Sequence, residues 1–207
     1  MRKATVKRNT KETKISLSLD LDGSGKGTID TGIGFFNHML ELLKKHALID
    51  LTVKADGDLD VDYHHTVEDV GLVFGQALNQ ALGDRKGITR YGFASIPMDE
   101  ALCETSIDLG GRPFVVFVSG KKHMMIRDFE VKLLEEFFRA VSVEGRLNIH
   151  LTAGRQSGID HKLHQHRQCH LQQRLEHGKS ADQHNTAPVR TQYFPGSAPE
   201  WFLFHKL

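Results

Sequence analysis

FFNHMLELLKKHALIDLTVKADG, residues 35–57, and LLEEFFRAVSVEGRLNIHLTAG, residues 133–154, decide the fold. Each reads as helix, short link, strand and glycine, in the same order and at almost the same length. The chain is therefore read as an internal duplication, each half a few antiparallel strands packed on helices. In the first copy, residues 34–46 place Phe35, Met39 and Leu42 at helical spacing, with Lys44 and Lys45 near the end, where cations suit the helix dipole. Leu51, Val53 and Ala55 then alternate with polar residues. Leu59 and Val61 continue the alternation after Asp56-Gly57-Asp58, which predicts a hairpin.

Upstream, Ile15, Leu17, Leu19 and Leu21 share one strand face, and Asp22-Gly23-Ser24-Gly25 turns the chain. Downstream, Val67, Val70, Phe74, Leu78 and Ala81 line a helix that stops at Gly83. The second series puts Ala101, Cys103, Ile107 and Leu109 on one strand face and makes Phe114 to Val118 a more continuous buried run. A helix near 129–142, with Val131, Leu134, Phe138 and Val141 inward, feeds a strand of Leu147, Ile149 and Leu151. The expected class is α+β, with internally duplicated antiparallel sheets packed on helices and the second repeat incomplete. The repeats are expected over 1–84 and 85–153.

Residues 154–207 break the pattern. They hold His161, His164, His166, His170, His177, His184 and His205, seven of the chain's 13 histidines, among many glutamines. Bulky apolar residues are few before the last positions, so there is little buried area to offset an ordering entropy of ~1–2 kcal/mol per residue. Much of this stretch is expected to be poorly ordered. The abrupt compositional change is what reading a gene out of frame would produce.

A length of 207 residues allows one sizeable core or two small fused ones. Lys+Arg 27 against Asp+Glu 26 leaves no electrostatic footprint for nucleic acid or an anionic membrane. Cys103 and Cys169 cannot build a disulfide framework, and the start lacks an apolar signal core. The chain reads as cytosolic and soluble, without nucleic-acid or membrane partners.

His64-His65-Thr66-Val67-Glu68-Asp69 sits where a strand ending near Asp62 gives way to a helix. On a helix Glu68 lies beside both histidines, and adjacent histidines diverge, so His64 and His65 would most easily serve two different ions. Imidazoles with a carboxylate suit Zn, Mn, Fe or Ni better than Mg or Ca. His38, on the earlier helix, could approach the same region. Solvated histidines beside a surface carboxylate account for the same spacing, and the pattern alone leaves both readings open. Arg90 and Arg112 adjoin glycine turns, where guanidinium forks clamp phosphate or carboxylate, although solvated arginines are commoner. Asp99-Glu100 after Pro97 is ambiguous.

TGIGFFNHML (31–40), DYHHTVEDVGLVFGQAL (62–78), ALGDRKGITRYG (81–92), PMDEAL (97–102) and DLGGRPF (108–114) together closely resemble imidazoleglycerol-phosphate dehydratase of histidine biosynthesis. The likeness runs from about residue 2 to 153 and includes Arg8-Asn9-Thr10-Lys11-Glu12-Thr13. It implies a large symmetric homo-oligomer with two Mn ions per site between subunits, acting on a small phosphorylated imidazole substrate. It further implies His38, His64, His65 and Glu68 as metal ligands, Glu12, Glu68 and Asp99 in catalysis, and Arg90 and Arg112 on the phosphate. The family's second half carries a matching HHxxE helix. Residues 158–166 offer histidines there but no carboxylate at that offset. The competing expectation is an inactive, partly folded metal-binding polypeptide that lacks the second motif.

Overall fold

In the computed structural model, residues 1–120 and 124–155 are described. Alternation of apolar and polar residues produces β1 (Lys3–Asn9) and β2 (Thr13–Asp20), followed by β3 (Ile29–Asp30), α1 (Gly34–Ala47), β4 (Asp50–Gly57) and α2 (His64–Leu82). The second half contains β5 (Tyr91–Met98), β6 (Ala101–Asp108) and β7 (Phe114–Ser119), the small β8 (Met125–Ile126) and β9 (Phe129–Glu130), then α3 (Lys132–Gly145) and β10 (Asn148–Arg155). The sheets have the orders β1-β2-β4-β3 and β5-β6-β10-β7. In each, three strands are antiparallel and the last edge strand runs parallel to its neighbour. Equal order and equal strand directions establish the duplication. It extends to the ends of α1 and α3, where Leu48 (φ 55°) and Arg146 (φ 51°) hold equivalent left-handed positions, a conformation most often given to glycine.

The helices lie between the sheets. Ile15, Leu17 and Leu19 of β2 and Leu51 and Val53 of β4 are buried beneath α2, while Phe117 of β7 stacks on Phe138 of α3 at 6.3 Å. Between these layers α2 and α3 run parallel, in very close contact. A Cβ on Gly71 would come within 2.8 Å of the Phe137 carbonyl oxygen and 2.9 Å of Ala140 Cβ; one on Gly75 would meet Gly145 N and Val141 O, both at 2.8 Å. Glycine is required at these positions because backbone, which cannot swing aside, occupies the space. Among the described residues, no helix is long and apolar enough to cross a membrane.

Three local expectations are corrected. Leu59 and Val61 lie in a turn instead of a second hairpin arm, because β2 and β3 already occupy both edges of β4. The inward face of α1 is Phe36, Met39, Leu40 and Leu43, with Phe35 and Leu42 only half-buried. Its rotation is set by Thr31, whose N–H and hydroxyl both donate to Asn37 Oδ1, and by Phe36, which packs against Phe129 and Phe137. Finally, Phe114 to Val118 is no continuous buried run. On an edge strand, only alternate residues face the helix, leaving Phe114 59% and Val118 50% exposed. Of residues 154–207, expected to be poorly ordered, Gly154 and Arg155 end β10, and 156–207 lie outside the described residues.

Gly75→Ala should destabilise the fold by about 1–3 kcal/mol, the usual cost of overpacking. Gly34→Ala, with nothing within 4 Å of the added carbon, should be neutral or slightly stabilising. Urea denaturation of the two variants checks this.

Candidate active site

The first cluster forms where α2 begins. Asp62 Oδ1 accepts the His64 N–H at 2.8 Å. His64 Nε2 then stands 3.3 Å from Glu68 Oε2, one turn along the helix, and His65 Nδ1 stands 3.6 Å from Glu12 Oε2. The ring centroids are 5.8 Å apart and the planes are inclined by 54°. Sequence spacing placed Glu68 beside both histidines; the fold pairs it with His64 and gives His65 to Glu12, from the turn that joins β1 to β2. All four side chains are substantially exposed, so neither contact is a shielded ion pair.

Glu12 reaches this position because its turn is tied down. Thr10 Oγ1 accepts the N–H groups of Glu12 and Thr13, and the Asp58 N–H donates to the Glu12 carbonyl oxygen. The Thr13 hydroxyl donates to Asp69 Oδ2, and Arg8 Nε donates to Asp69 Oδ1 at 2.9 Å. Asp69 is buried and stands one residue after Glu68, so it locks the Glu12 turn onto the helix that carries both histidines. Sequence reasoning missed this carboxylate. The signal was present, since Asp69 falls among Thr66, Val70 and Val73 on the inward arc of α2, where a charge needs partners.

Arg90 and Arg112 act elsewhere, both on Asp108. Arg90 binds Asp108 through two nitrogens, Nε to Oδ1 at 2.6 Å and Nη2 to Oδ2 at 3.0 Å, and its guanidinium lies 4.9 Å from the Tyr91 ring centre. The hydrogen bond from Arg90 holds the Asp108 carboxyl below its ordinary range, with Arg112 adding attraction, and it raises the Arg90 guanidinium in turn. This cluster lies near the far end of α2: Arg85, just past that helix, donates to the Leu109 carbonyl at 2.7 Å, and Leu109 N–H donates to the Arg90 carbonyl. A helix of 19 residues rising ~1.5 Å each separates it from His64 by roughly 27 Å.

Asp99, at φ 49°, sits in the tight turn joining β5 to β6. At ~3.3 Å per residue, the eight-residue β5 keeps it roughly 25 Å from Arg90. His38 is exposed on α1, and no three His, Cys, Asp or Glu side chains among the described residues converge to hold an ion. The single chain thus brings together His64, His65, Glu68 and Glu12, brings together Arg90 and Arg112, and leaves Asp99 apart from both arginines.

The donor chemistry fits a first-row divalent ion in part. Nitrogen and oxygen ligands at ~2.0–2.2 Å from one ion lie about 3.0–3.5 Å from each other, close to the 3.3 and 3.6 Å separations seen here. Each pair supplies two donors, fewer than an ion's coordination sphere requires.

A family model described as imidazoleglycerol-phosphate dehydratase matches residues 31–169, running past the point where the motif likeness stops. An imidazoleglycerol-phosphate dehydratase of Acidiphilium cryptum is 56% identical over 151 residues, covering 73% of this chain and 77% of that protein. One from Acetivibrio thermocellus is 55% identical over 152 residues, covering 73% and 78%. The crystal structure of the Staphylococcus aureus enzyme superposes with a TM-score of 0.66 at 37% identity, covering 74% of this chain and 84% of that one.

The Arg90–Asp108 pair predicts a pH effect of definite sign. Because its folded-state pKa is depressed, Asp108 contributes stability that is present above the unfolded value of about 3.9 and is lost as pH falls through the lower folded value. Urea midpoints should therefore drop more steeply between about pH 4.5 and about pH 2.5 for the parent than for Asp108→Asn.

Proposed function

The chain belongs to the imidazoleglycerol-phosphate dehydratase family, a family of hydro-lyases, and from that premise we propose that it dehydrates imidazole glycerol phosphate to imidazole acetol phosphate with the help of manganese. The observation that carries this reading is the double histidine–carboxylate pairing at the start of α2, His64 with Glu68 and His65 with Glu12. His64, His65 and Glu68, with His38, would hold the metal. When bound, manganese would supply Lewis acidity toward the substrate's imidazole ring.

The chain's own groups account for the remaining tasks. Glu12, held at the hairpin turn, and Asp99 would take and return protons. Arg112, exposed beside Asp108, is the freer phosphate clamp. Arg90, engaged by both oxygens of Asp108, would bind phosphate with its outer nitrogens or shape the clamp. Loss of water between neighbouring carbons requires proton removal and hydroxyl departure within one small molecule, so its acid, base and phosphate clamp must all lie within about one substrate length. Separations of roughly 25–27 Å between these groups along α2 and β5 support a site completed by other copies of the chain.

Self-association has independent support in the contrast between the outer sheet faces. The first sheet turns Lys3, Thr5, Lys7, Lys14, Ser16 and Lys54 outward. The duplicated second sheet turns outward Tyr91 and Phe93, at 65% and 69% exposure, with Phe114 and Val118 on its other edge. Two apolar edges flank polar central strands, so a second copy facing this sheet across either in-plane two-fold axis sets apolar edge on apolar edge. A cytosolic setting accompanies this reading.

Glu68→Gln should keep α2 helical while weakening Mn binding by about tenfold or more, with turnover of imidazole glycerol phosphate falling in parallel. Calorimetry and a product assay on the full chain check this; unchanged affinity would remove Glu68 from the site. Binding of Mn by the parent without turnover would favour the inactive metal-binding polypeptide. Phe93→Lys should shift the sedimentation profile toward smaller species, and an unaltered profile would exclude this face from the assembly.

A further inference from the structure

We propose that Tyr63 and Asp128 are positioning residues that hold the His64–His65 end of α2 in register with α1. The inference rests on the reading of these histidines as metal ligands. Tyr63 stands at the N-cap of α2 but supplies no side-chain cap, and no acidic residue occupies the first turn. A helix end of that kind frays, and the two histidines are its first residues. Asp62 Oδ1 accepts the His64 N–H locally, and the tie from this end to the second half is the Tyr63 phenol, which donates to Asp128 Oδ2 at 2.7 Å across 65 positions of sequence.

Asp128 is a rigid acceptor. It lies in the two-residue turn between β8 and β9, after Arg127 at φ 57°. The next residue, Phe129, is fully buried and meets Phe35 and Phe36 of α1 at ring distances of 5.1 and 6.2 Å. One short hairpin of the second half therefore grips α1 through Phe129 and the start of α2 through Asp128. The elements carrying His38 and His64 are bridged by a strut that contributes no ligand. Tyr63, His64 and Asp128 line one cleft of about 430 Å³, so loss of the phenol bond would free the His64 end toward open space. A group outside the ligand shell that fixes ligand orientation commonly controls affinity strongly.

Tyr63→Phe removes one oxygen and keeps the ring. In the full chain, amide hydrogen exchange at residues 64–68 without metal should accelerate by about fivefold, with β2, β4 and the end of α2 unchanged. Mn affinity by calorimetry should fall about threefold to tenfold, and the urea midpoint should stay within error. Asp128→Asn, whose amide oxygen still accepts the phenol hydrogen, should behave as the parent; Asp128→Ala should reproduce Tyr63→Phe, and the double variant should be no worse than either. Unchanged exchange at 64–68 overturns the proposal. Faster exchange with unaltered Mn affinity overturns the link to the histidines. If the parent binds no Mn, the metal reading fails by itself, and the exchange data alone decide whether Tyr63 and Asp128 hold the helix end.

Discussion

The approach of α2 to α3 is the constraint on which the rest of the molecule depends. Gly71 and Gly75 let the helix backbones meet at a distance that any side chain would prevent, and α3 answers with Ala140, Val141 and Gly145. Once these surfaces are in contact, both ends of the helix pair are determined. At one end, the hairpin before α3 falls beside Tyr63. At the other, the Arg85 guanidinium donates to the carbonyl oxygens of Leu109, Gly145 and Arg146 and to Asn79 Oδ1. It thereby satisfies carbonyl groups at the end of α3 that have no partner within the helix. Phe137 closes the centre, touching Phe36 of α1 and Phe74 of α2.

Duplication supplied two copies of one scaffold, and the copies have diverged in decoration. The first half carries the imidazoles and carboxylates, on a helix start and a hairpin turn. The second half carries the guanidinium groups at one end of its sheet and Asp99 at the other. Its outer face carries aromatic side chains along both edges, where the first sheet is covered by lysine, serine and threonine. A long helix and a long strand keep these groups apart within one chain, and the same rigidity would present them in fixed directions to neighbouring copies.

Much of this was legible from local pattern. Apolar alternation at Ile15, Leu17 and Leu19 and the helical spacing of Val67, Val70, Phe74, Leu78 and Ala81 identified β2 and α2 correctly, since burial on one face leaves a period that sequence records. The same logic misplaced the inward face of α1. With apolar residues at 35, 36, 39, 40, 42 and 43, the period is compatible with more than one rotation, and the choice was made by Asn37 and by Phe129, a residue far along the chain. Leu59 and Val61 alternate like a strand but find no free edge to pair with. Phe114 to Val118 resembles a buried run, yet it occupies the rim of a sheet.

The sequence by itself determined the duplicated order of strands and helices, the HHxxE segment at a strand-to-helix junction, and the family. All of these reside in spacing along a few consecutive turns or in motifs of contiguous residues. Only the tertiary structure decided that Glu12 faces His65, that Asp69 holds the Glu12 turn, that Asp108 occupies Arg90, and that Asp128 reaches Tyr63. Each of these pairs joins residues 18 to 65 positions apart. Such partners carry no common periodicity. They meet because backbone packing at Gly71 and Gly75 and the register of the sheets bring their elements together, and a linear pattern does not encode which distant charge will fill the space.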